Sequence, residues 1–392
     1  MVVLLVTAGT IAAAVVDYVR GTYWLVGFPA NTFLTGHGTA FDEFSLLANA
    51  AHYRDLAGSS ASATPTGAFA AKLLHAAFAS AGGELLAGIA ALTVAWCLWQ
   101  MWRGVLPGRM TRADHVAALV LLSYPMLVIY DSGAPAALAL AAACVCVRLW
   151  CAGRDRFAWI PLGVAIAVAP SLVMLLAIPI ARRRTRQAGV AAGFAALVTL
   201  ASVGALALGT ADSVSGVFSG VVRQLRLLPN IAAAPLGPER GHTLWGALVA
   251  LDSHLGGAFG RIPHIGLAYA VVALLIAAGV VFYVVTTRLE FVVQLLMLLG
   301  CSLVLPFWSG DAQLALLIIP AMLLCRDFSG RAVQWAALAV LSALLVPLAP
   351  LAASGVSPGV FLYPALLVCL LVLVGLTGAR GSSFARESGG AT

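Results

Sequence analysis

Long apolar runs alternate with short polar stretches along almost the whole chain. The first run fills residues 1–16, with no basic segment before it and no small-residue cleavage site after it, so we predict a retained membrane span rather than a removed signal. The remaining runs cover 85–102, 116–130, 136–150, 157–181, 188–208, 266–283, 291–306, 314–324, 332–348 and 360–376. A helix of about 20 apolar residues crosses a bilayer. The pattern therefore predicts an all-α, polytopic integral membrane protein.

The run at 157–181 differs from the others because prolines interrupt it. Pro161, Pro170 and Pro179 each remove a backbone donor from a helix. Arg156 and Arg182 flank the run, and both can be cytoplasmic only if the chain enters the membrane and returns. We therefore predict a short broken hairpin, which brings the count to about twelve transmembrane segments.

The amino-acid composition favours one membrane domain over separate soluble domains. The 392 residues are 62% hydrophobic and 9% charged, with a mean hydropathy of +1.01, whereas soluble domains carry about 25% charged residues. We expect a single transmembrane domain over 1–378 and a short disordered cytoplasmic tail over 379–392. The seven cysteines have neither the spacing of a zinc site nor that of a disulfide framework, and are interpreted as small core residues.

The basic residues predict the orientation, because cytoplasmic loops retain Lys and Arg. With both termini in the cytoplasm, 15 of the 22 basic residues lie inside. The others are Arg20, Arg54, Lys72, Arg223, Arg226, Arg240 and Arg261. We expect a cytoplasmic-membrane protein with two long outer loops, at 17–66 and 210–265. The net charge of +7 is spread between apolar runs rather than gathered in one patch, which argues against a nucleic-acid partner.

The outer face carries most of the polar chemistry. Six of the seven histidines and most of the carboxylates fall on that side. The sequence contains no P-loop and no dinucleotide-binding glycine motif. An enzyme site on the outer face would therefore use groups delivered on lipid carriers, because nucleotide sugars are not available there.

Asp42 and Glu43 form an acidic pair at the start of a short apolar segment in the first outer loop. Carboxylates in the first turn of a helix are stabilised by its unpaired amide donors and its dipole, so simple capping is one interpretation. The other is catalysis, because a carboxylate at the membrane surface can accept the proton of an attacking hydroxyl group.

The segment 67–80, which follows a proline turn, is amphipathic. It is predicted to be an interfacial helix after the first outer loop, where Lys72 and His75 would line a lipid-accessible substrate groove. An ordinary interfacial helix with a snorkelling lysine is the alternative, and residue pattern alone favours it.

The second outer loop holds Arg223 and Arg226, followed by Arg240, His242 and Trp245. Guanidinium groups beside a membrane are suited to holding a phosphate or diphosphate, and a tryptophan is suited to stacking on a sugar ring. For either of the first two arginines taken singly, a solvated charge on an interfacial helix is the simpler interpretation.

A polar, aromatic turn occurs late in the chain, at 306–313, and contains Trp308 and Asp311. A place in the substrate groove and a structural role, as a membrane-belt aromatic and a helix cap, are both consistent with this pattern.

Several of these stretches resemble one family. Asp42-Glu43-Phe44 is similar to the acidic-acidic-Phe motif of branching arabinofuranosyltransferases, and Pro65-Thr66-Gly67 is similar to their Tyr-Pro-Pro-Gly turn. Residues 162–184 resemble their hairpin, and 305–324, which contains Ile-Ile-Pro-Ala-Met-Leu-Leu, resembles their Ser-Pro-x-x-Trp segment and the span after it. Over residues 1–378 the chain thus resembles the polyprenyl-phosphate-sugar-dependent membrane glycosyltransferases of the GT-C class, in particular the actinobacterial arabinofuranosyltransferases and mannosyltransferases.

The resemblance implies a GT-C-like fold with Asp42 as general base and Glu43 supporting it. It implies inverting transfer of a sugar, arabinofuranose first and mannose second, from a polyprenyl-phosphate donor to a cell-envelope glycan or glycolipid at the outer face. No cofactor is expected, and a divalent cation is left open.

The chain also departs from the family pattern. Ala169 precedes Pro170 where the family has lysine, and Ala63-Thr64-Pro65 replaces the tyrosine and paired prolines. A non-catalytic, diverged relative is therefore the alternative, acting as a transporter or as a partner in an envelope glycan-assembly complex.

Overall fold

The computed structural model describes residues 42–56, 64–103, 123–133, 135–210, 212–232, 242–255, 264–287, 289–307, 309–327, 331–346 and 359–387, with residues 6, 8, 10 and 11. These residues form helices and no β-strand. The α-helices are α1 (Asp42–Asn49), α2 (Pro65–Phe78), α3 (Gly82–Arg103), α4 (Tyr124–Ser132), α5 (Ala136–Cys151), α6 (Trp159–Val168), α7 (Ala177–Ala181), α8 (Thr185–Gly209), α9 (Val214–Ala232), α10 (Leu244–His254), α11 (Ile265–Thr286), α12 (Phe291–Val304), α13 (Ile318–Arg326), α14 (Ala332–Leu344) and α15 (Gly359–Glu387). Short 3₁₀ helices cover Tyr53–Leu56, Ala79–Ala81, Asp155–Phe157, Pro170–Leu176 and Asp311–Leu317.

Among the described helices, three are long and apolar enough to cross a membrane. They are Gly82–Met101 within α3, Thr185–Gly209 (α8) and Ile265–Thr286 (α11). Helix α11 exposes large apolar side chains, with Leu274 and Phe282 each 70% exposed, as is typical of a lipid-facing helix. The apolar helices establish an all-α, membrane-embedded protein, while the finer count of about twelve segments and the orientation stay predictions.

The segment predicted to form a broken hairpin is a helix interrupted at Pro170, while its entry into the membrane and return stay a prediction. Helix α6 stops before Pro170, and the chain continues as the 3₁₀ helix Pro170–Leu176 and then α7. Asp155, which precedes the hairpin, pairs with Arg184, which follows it, at 2.7 Å. This pair ties the two ends of the segment together, with the Asp155 side chain 8% exposed and the Arg184 side chain 44% exposed.

The most deeply buried elements are α12, α13 and the 3₁₀ helix Asp311–Leu317. A Cβ atom added to Gly300 of α12 would lie 2.9 Å from Leu371 Cδ2 of α15, so this glycine permits the two helices to approach closely. Because lipid chains are as apolar as these side chains, close van der Waals packing of this kind contributes to holding membrane helices together.

Helix α2 begins inside the bundle rather than on its surface. Thr64 caps it by accepting from the Gly67 N–H at 3.1 Å, and the same hydroxyl donates to the Val168 carbonyl at 3.1 Å, at the break in the hairpin. Pro65 and Gly67 are buried, whereas the last turn of α2 is exposed. The amphipathic segment of the sequence is thus a helix anchored at one end in the core.

Candidate functional site

The described parts of the two predicted outer loops meet at a buried carboxylate, Asp212. This residue lies just before α9 and is 8% exposed. Its Oδ2 accepts from the backbone N–H of Tyr53 at 2.6 Å, and its Oδ1 lies 3.1 Å from Nδ1 of His52. One carboxylate therefore holds the short 3₁₀ helix Tyr53–Leu56 against the start of α9.

Side-chain packing reinforces this contact. Tyr53 is 2% exposed, and its hydroxyl donates to Gln224 Oε1 at 3.3 Å. A Cβ atom on Gly220 would lie 2.9 Å from Tyr53 Cδ1 and 3.1 Å from Arg54 Cα. Burial raises the pKa of Tyr53 well above its usual value, so the phenol stays neutral and available as a donor. We call Tyr53, Asp212, Gly220 and Gln224 the loop clamp.

Helix α1, which carries the predicted catalytic pair, is linked to the clamp by residues 50–52 alone. The helix begins at Asp42, whose side chain lies outside the described residues, and Glu43 in its first turn is half-buried. Phe44 and Leu47 are 1% and 0% exposed and fix α1 to the bundle. The acidic pair thus starts a short helix that is held at both its apolar face and its C-terminal end.

Lys72, predicted to line a substrate groove, reaches the C-terminal end of α1. Its Nζ donates to the carbonyls of Ala48 at 3.2 Å and Ala50 at 2.6 Å. A cation at these carbonyls complements the negative end of the helix dipole. Partial burial lowers the pKa of Lys72. His75 lies half-buried in the last turn of α2.

Arg223 and Arg226, the predicted phosphate ligands, are exposed on α9. They lie three residues apart and therefore project from the same side of the helix. The clamp residues Gly220 and Gln224 occupy a different side of the same helix, facing the first loop. Arg240 lies outside the described residues.

His242 and Trp245 belong to a second, buried group around the late turn. The His242 N–H donates to the Ser309 carbonyl at 3.0 Å, and the His242 ring packs edge-on against Tyr363 with centroids 4.3 Å apart. Trp245 contacts Phe307 with centroids 5.3 Å apart and is 6% exposed. The second loop and the late turn are therefore brought together, with the side chains of His242 and Trp245 buried between them.

Trp245 also links this group to α9, because its Nε1–H donates to the carbonyl of Pro229 at 3.1 Å. Trp308 lies outside the described residues. Asp311 begins the 3₁₀ helix Asp311–Leu317, and its side chain is not among those described. Helix α9 is consequently held at both ends, by the loop clamp near its start and by Trp245 near its end.

Residue patterns did not single out the loop clamp. Asp212 and His52 are recognisable in the sequence only as two of the charged or titratable outer residues, and Tyr53 and Gln224 carry no motif. A usable signal is the spacing of four from Gly220 to Gln224, which places both on one side of a helix. In the part of the chain that the structure describes, no group of three or more His, Cys, Asp or Glu side chains could hold a metal ion.

The fold and site define a membrane-embedded, all-α protein in which an acidic helix and an arginine-bearing helix are joined through a buried carboxylate. No protein-family model, curated protein or solved structure matches the chain.

Proposed function

We propose that the protein is a membrane glycosyltransferase that moves a sugar from a polyprenyl-phosphate donor to a cell-envelope glycan or glycolipid at the outer face of the cytoplasmic membrane. Arabinofuranose is the first expected sugar and mannose the second. The observation that carries the proposal is the bond between Asp212 and the Tyr53 N–H at 2.6 Å. This bond joins the segment that follows the acidic helix to the residue that precedes the helix with the two arginines.

The acceptor, the donor and Asp42 each have a role in the proposed reaction. The acceptor hydroxyl oxygen attacks the anomeric carbon, and the bond from that carbon to the phosphate oxygen breaks, so that the phosphate leaves with the electron pair. Asp42 takes the proton of the attacking hydroxyl, with Glu43 beside it. Attack opposite the leaving group inverts the configuration at the anomeric carbon.

The departing phosphate gains negative charge as the bond breaks. Arg223 and Arg226, exposed on one side of α9, have the charge and the paired donors to stabilise it. Arg240 and His242 complete the predicted donor site, and Lys72, His75, Trp245, Trp308 and Asp311 complete the predicted groove. No nucleotide takes part in this reaction, and the need for a divalent cation is left to experiment.

The test is transfer by the purified full-length protein in lipid nanodiscs, supplied with a polyprenyl-phosphoryl arabinofuranose or mannose and an oligosaccharide acceptor. Asp42→Asn should lower kcat by about 10²- to 10⁴-fold, the range typical of losing a general base. Glu84→Gln is the matched control, because Glu84 is likewise an acidic residue in the first turn of a helix and is exposed. It should leave kcat unchanged.

Two results would contradict the proposal. Activity of the Asp42→Asn protein near that of the unsubstituted chain would remove Asp42 from the mechanism. Absence of transfer from both donors, with protein that is folded and monodisperse, would remove the enzymatic function and favour a transporter or a partner in glycan assembly.

A further inference from the structure

Helix α9 presents three different faces to its surroundings. The first faces the protein and includes Val217, Gly220 and Gln224, of which Val217 is 0% and Gln224 8% exposed. These residues are spaced by three and four, so they form one stripe along the helix. This stripe is the face that packs against Tyr53 and Arg54 of the first loop.

The second face is apolar and exposed. Val214, Phe218, Val222 and Leu225 are 51%, 46%, 47% and 61% exposed, and their spacing of four, four and three places them in one stripe. Water-exposed apolar area is unfavourable by about 25 cal/mol per Å². A continuous stripe of this kind therefore indicates a surface that contacts apolar material.

The third face is polar and exposed. It consists of Ser215, Ser219, Arg223 and Arg226, again spaced by four, four and three, and it lies directly beside the apolar stripe. A helix with apolar, polar and protein-facing stripes matches three environments that meet only at the surface of a bilayer beside an embedded protein.

The position of α9 in the chain agrees with this placement. It follows α8, one of the three helices able to cross a membrane, after a turn in which the Thr210 hydroxyl donates to the Leu206 carbonyl. Leu208 in the last turn of α8 is 91% exposed. Exposed apolar side chains therefore occur both at the end of a candidate span and along α9, which is itself not among the helices apolar enough to cross.

We propose that α9 lies in the membrane surface, with its apolar stripe among the acyl chains and with Arg223 and Arg226 binding the phosphates of anionic phospholipids. Guanidinium groups form paired hydrogen bonds to phosphate oxygens, and an exposed arginine pair beside an apolar stripe complements a lipid that has a phosphate above a hydrocarbon chain. Arg223 and Arg226 are also the predicted ligands of the donor phosphate, so phospholipid and donor lipid compete for the same two side chains, and the experiments below distinguish the two lipids.

The location is tested with a fluorophore on a single introduced cysteine in the full-length protein. The background replaces Cys151, Cys325 and Cys369, the described cysteines that are not buried. Labels at V222C and S219C report the apolar and polar stripes in vesicles that contain lipids with a quencher high on the acyl chain. We expect strong quenching at 222 and weak quenching at 219, and equal, weak quenching at both would overturn the placement.

The phosphate binding is tested with the label at V222C and quencher lipids of two kinds, phosphatidylglycerol and phosphatidylcholine. We expect the local preference for phosphatidylglycerol to fall by about fivefold or more in R223Q/R226Q, since about fivefold is the contribution of a single surface arginine. Raising the ionic strength should weaken the preference in the protein with both arginines, which tests the same point without a substitution.

A label at L274C on α11 is the matched control, because Leu274 is 70% exposed on a candidate span. It should show no headgroup preference, and its unchanged quenching in R223Q/R226Q verifies that the variant is folded. Equal quenching of the 222 label by the two lipids, at low and high salt, would refute the phospholipid site. Relief of quenching at 222 by added polyprenyl phosphate, but not by phosphatidylglycerol, would assign the arginines to the donor lipid instead.

Discussion

Asp212→Ala removes the buried carboxylate that joins the two predicted outer loops. The Tyr53 N–H then loses its 2.6 Å acceptor, and His52 loses the partner 3.1 Å from its Nδ1. Tyr53 is 2% exposed, so no water replaces the carboxylate without opening the 3₁₀ helix. The substitution should therefore loosen Tyr53–Leu56 while leaving the membrane-embedded helices in place.

The size of the effect follows from the two interactions. A hydrogen bond from a buried amide to a carboxylate contributes about 1.5–3 kcal/mol. The His52 side chain is 29% exposed, so its bond adds less than about 1 kcal/mol. Because every 1.4 kcal/mol is a factor of about ten, the Tyr53 amide should exchange with deuterium about 10- to 150-fold faster in Asp212→Ala.

The measurement is hydrogen–deuterium exchange of the peptide that covers Tyr53–Leu56, with the protein in nanodiscs. Asp212→Asn should give a smaller increase, since its amide oxygen still accepts one bond. Asp55→Asn is the control on the same 3₁₀ helix, where the side chain is 60% exposed and pairs with Arg54 at 4.0 Å. Unchanged exchange in Asp212→Ala, or an equal increase in Asp55→Asn, would refute the role of Asp212 as the clamp.

Two further substitutions test the packing. Gly220→Ala puts a Cβ atom 2.9 Å from Tyr53 Cδ1 and should destabilise the folded protein by about 1–3 kcal/mol. The control is Gly193→Ala, whose Cβ atom meets nothing within 4 Å, so that this substitution should be neutral or slightly stabilising. Thermal unfolding of both variants measures the difference. Asp155→Ala leaves Arg182 and Arg184, which both follow the interrupted segment, without their buried partner. It should lower the unfolding midpoint by more than Asp327→Ala, whose side chain is 45% exposed. Equal midpoints for either pair would contradict the packing on which that comparison rests.

The helices that local patterns could predict are those whose apolar runs are long. The run at 188–208 became α8, Thr185–Gly209, and the run at 266–283 became α11, Ile265–Thr286. The interruption of the run at 157–181 was predictable as well, because a proline acts on the helix through local geometry. Within the described part of the run at 332–348, the helix covers Ala332–Leu344 and residues 345–346 are not helical.

The candidate site was predictable only in part, because its partners are distant in the chain. The sequence identifies Arg223 and Arg226 as a pair but does not show that Asp212, which precedes them, binds the backbone of Tyr53 across 159 positions. The sequence is consistent both with a Lys72 side chain that snorkels and with one that faces a groove. The structure places its Nζ on the Ala48 and Ala50 carbonyls at the C-terminal end of α1. Both outcomes depend on which helix ends meet in space.

The sequence by itself determined that this protein is helical and membrane-embedded, because scarcity of charge and long apolar runs are properties of single segments. It also determined which charged residues lie in the polar stretches between the apolar runs. Only the tertiary structure decided how they are used: one carboxylate, Asp212, is buried as a clamp, while two arginines on the next helix stay exposed. The physical reason is that burial and hydrogen-bond partners are set by packing between distant segments, which no local pattern specifies.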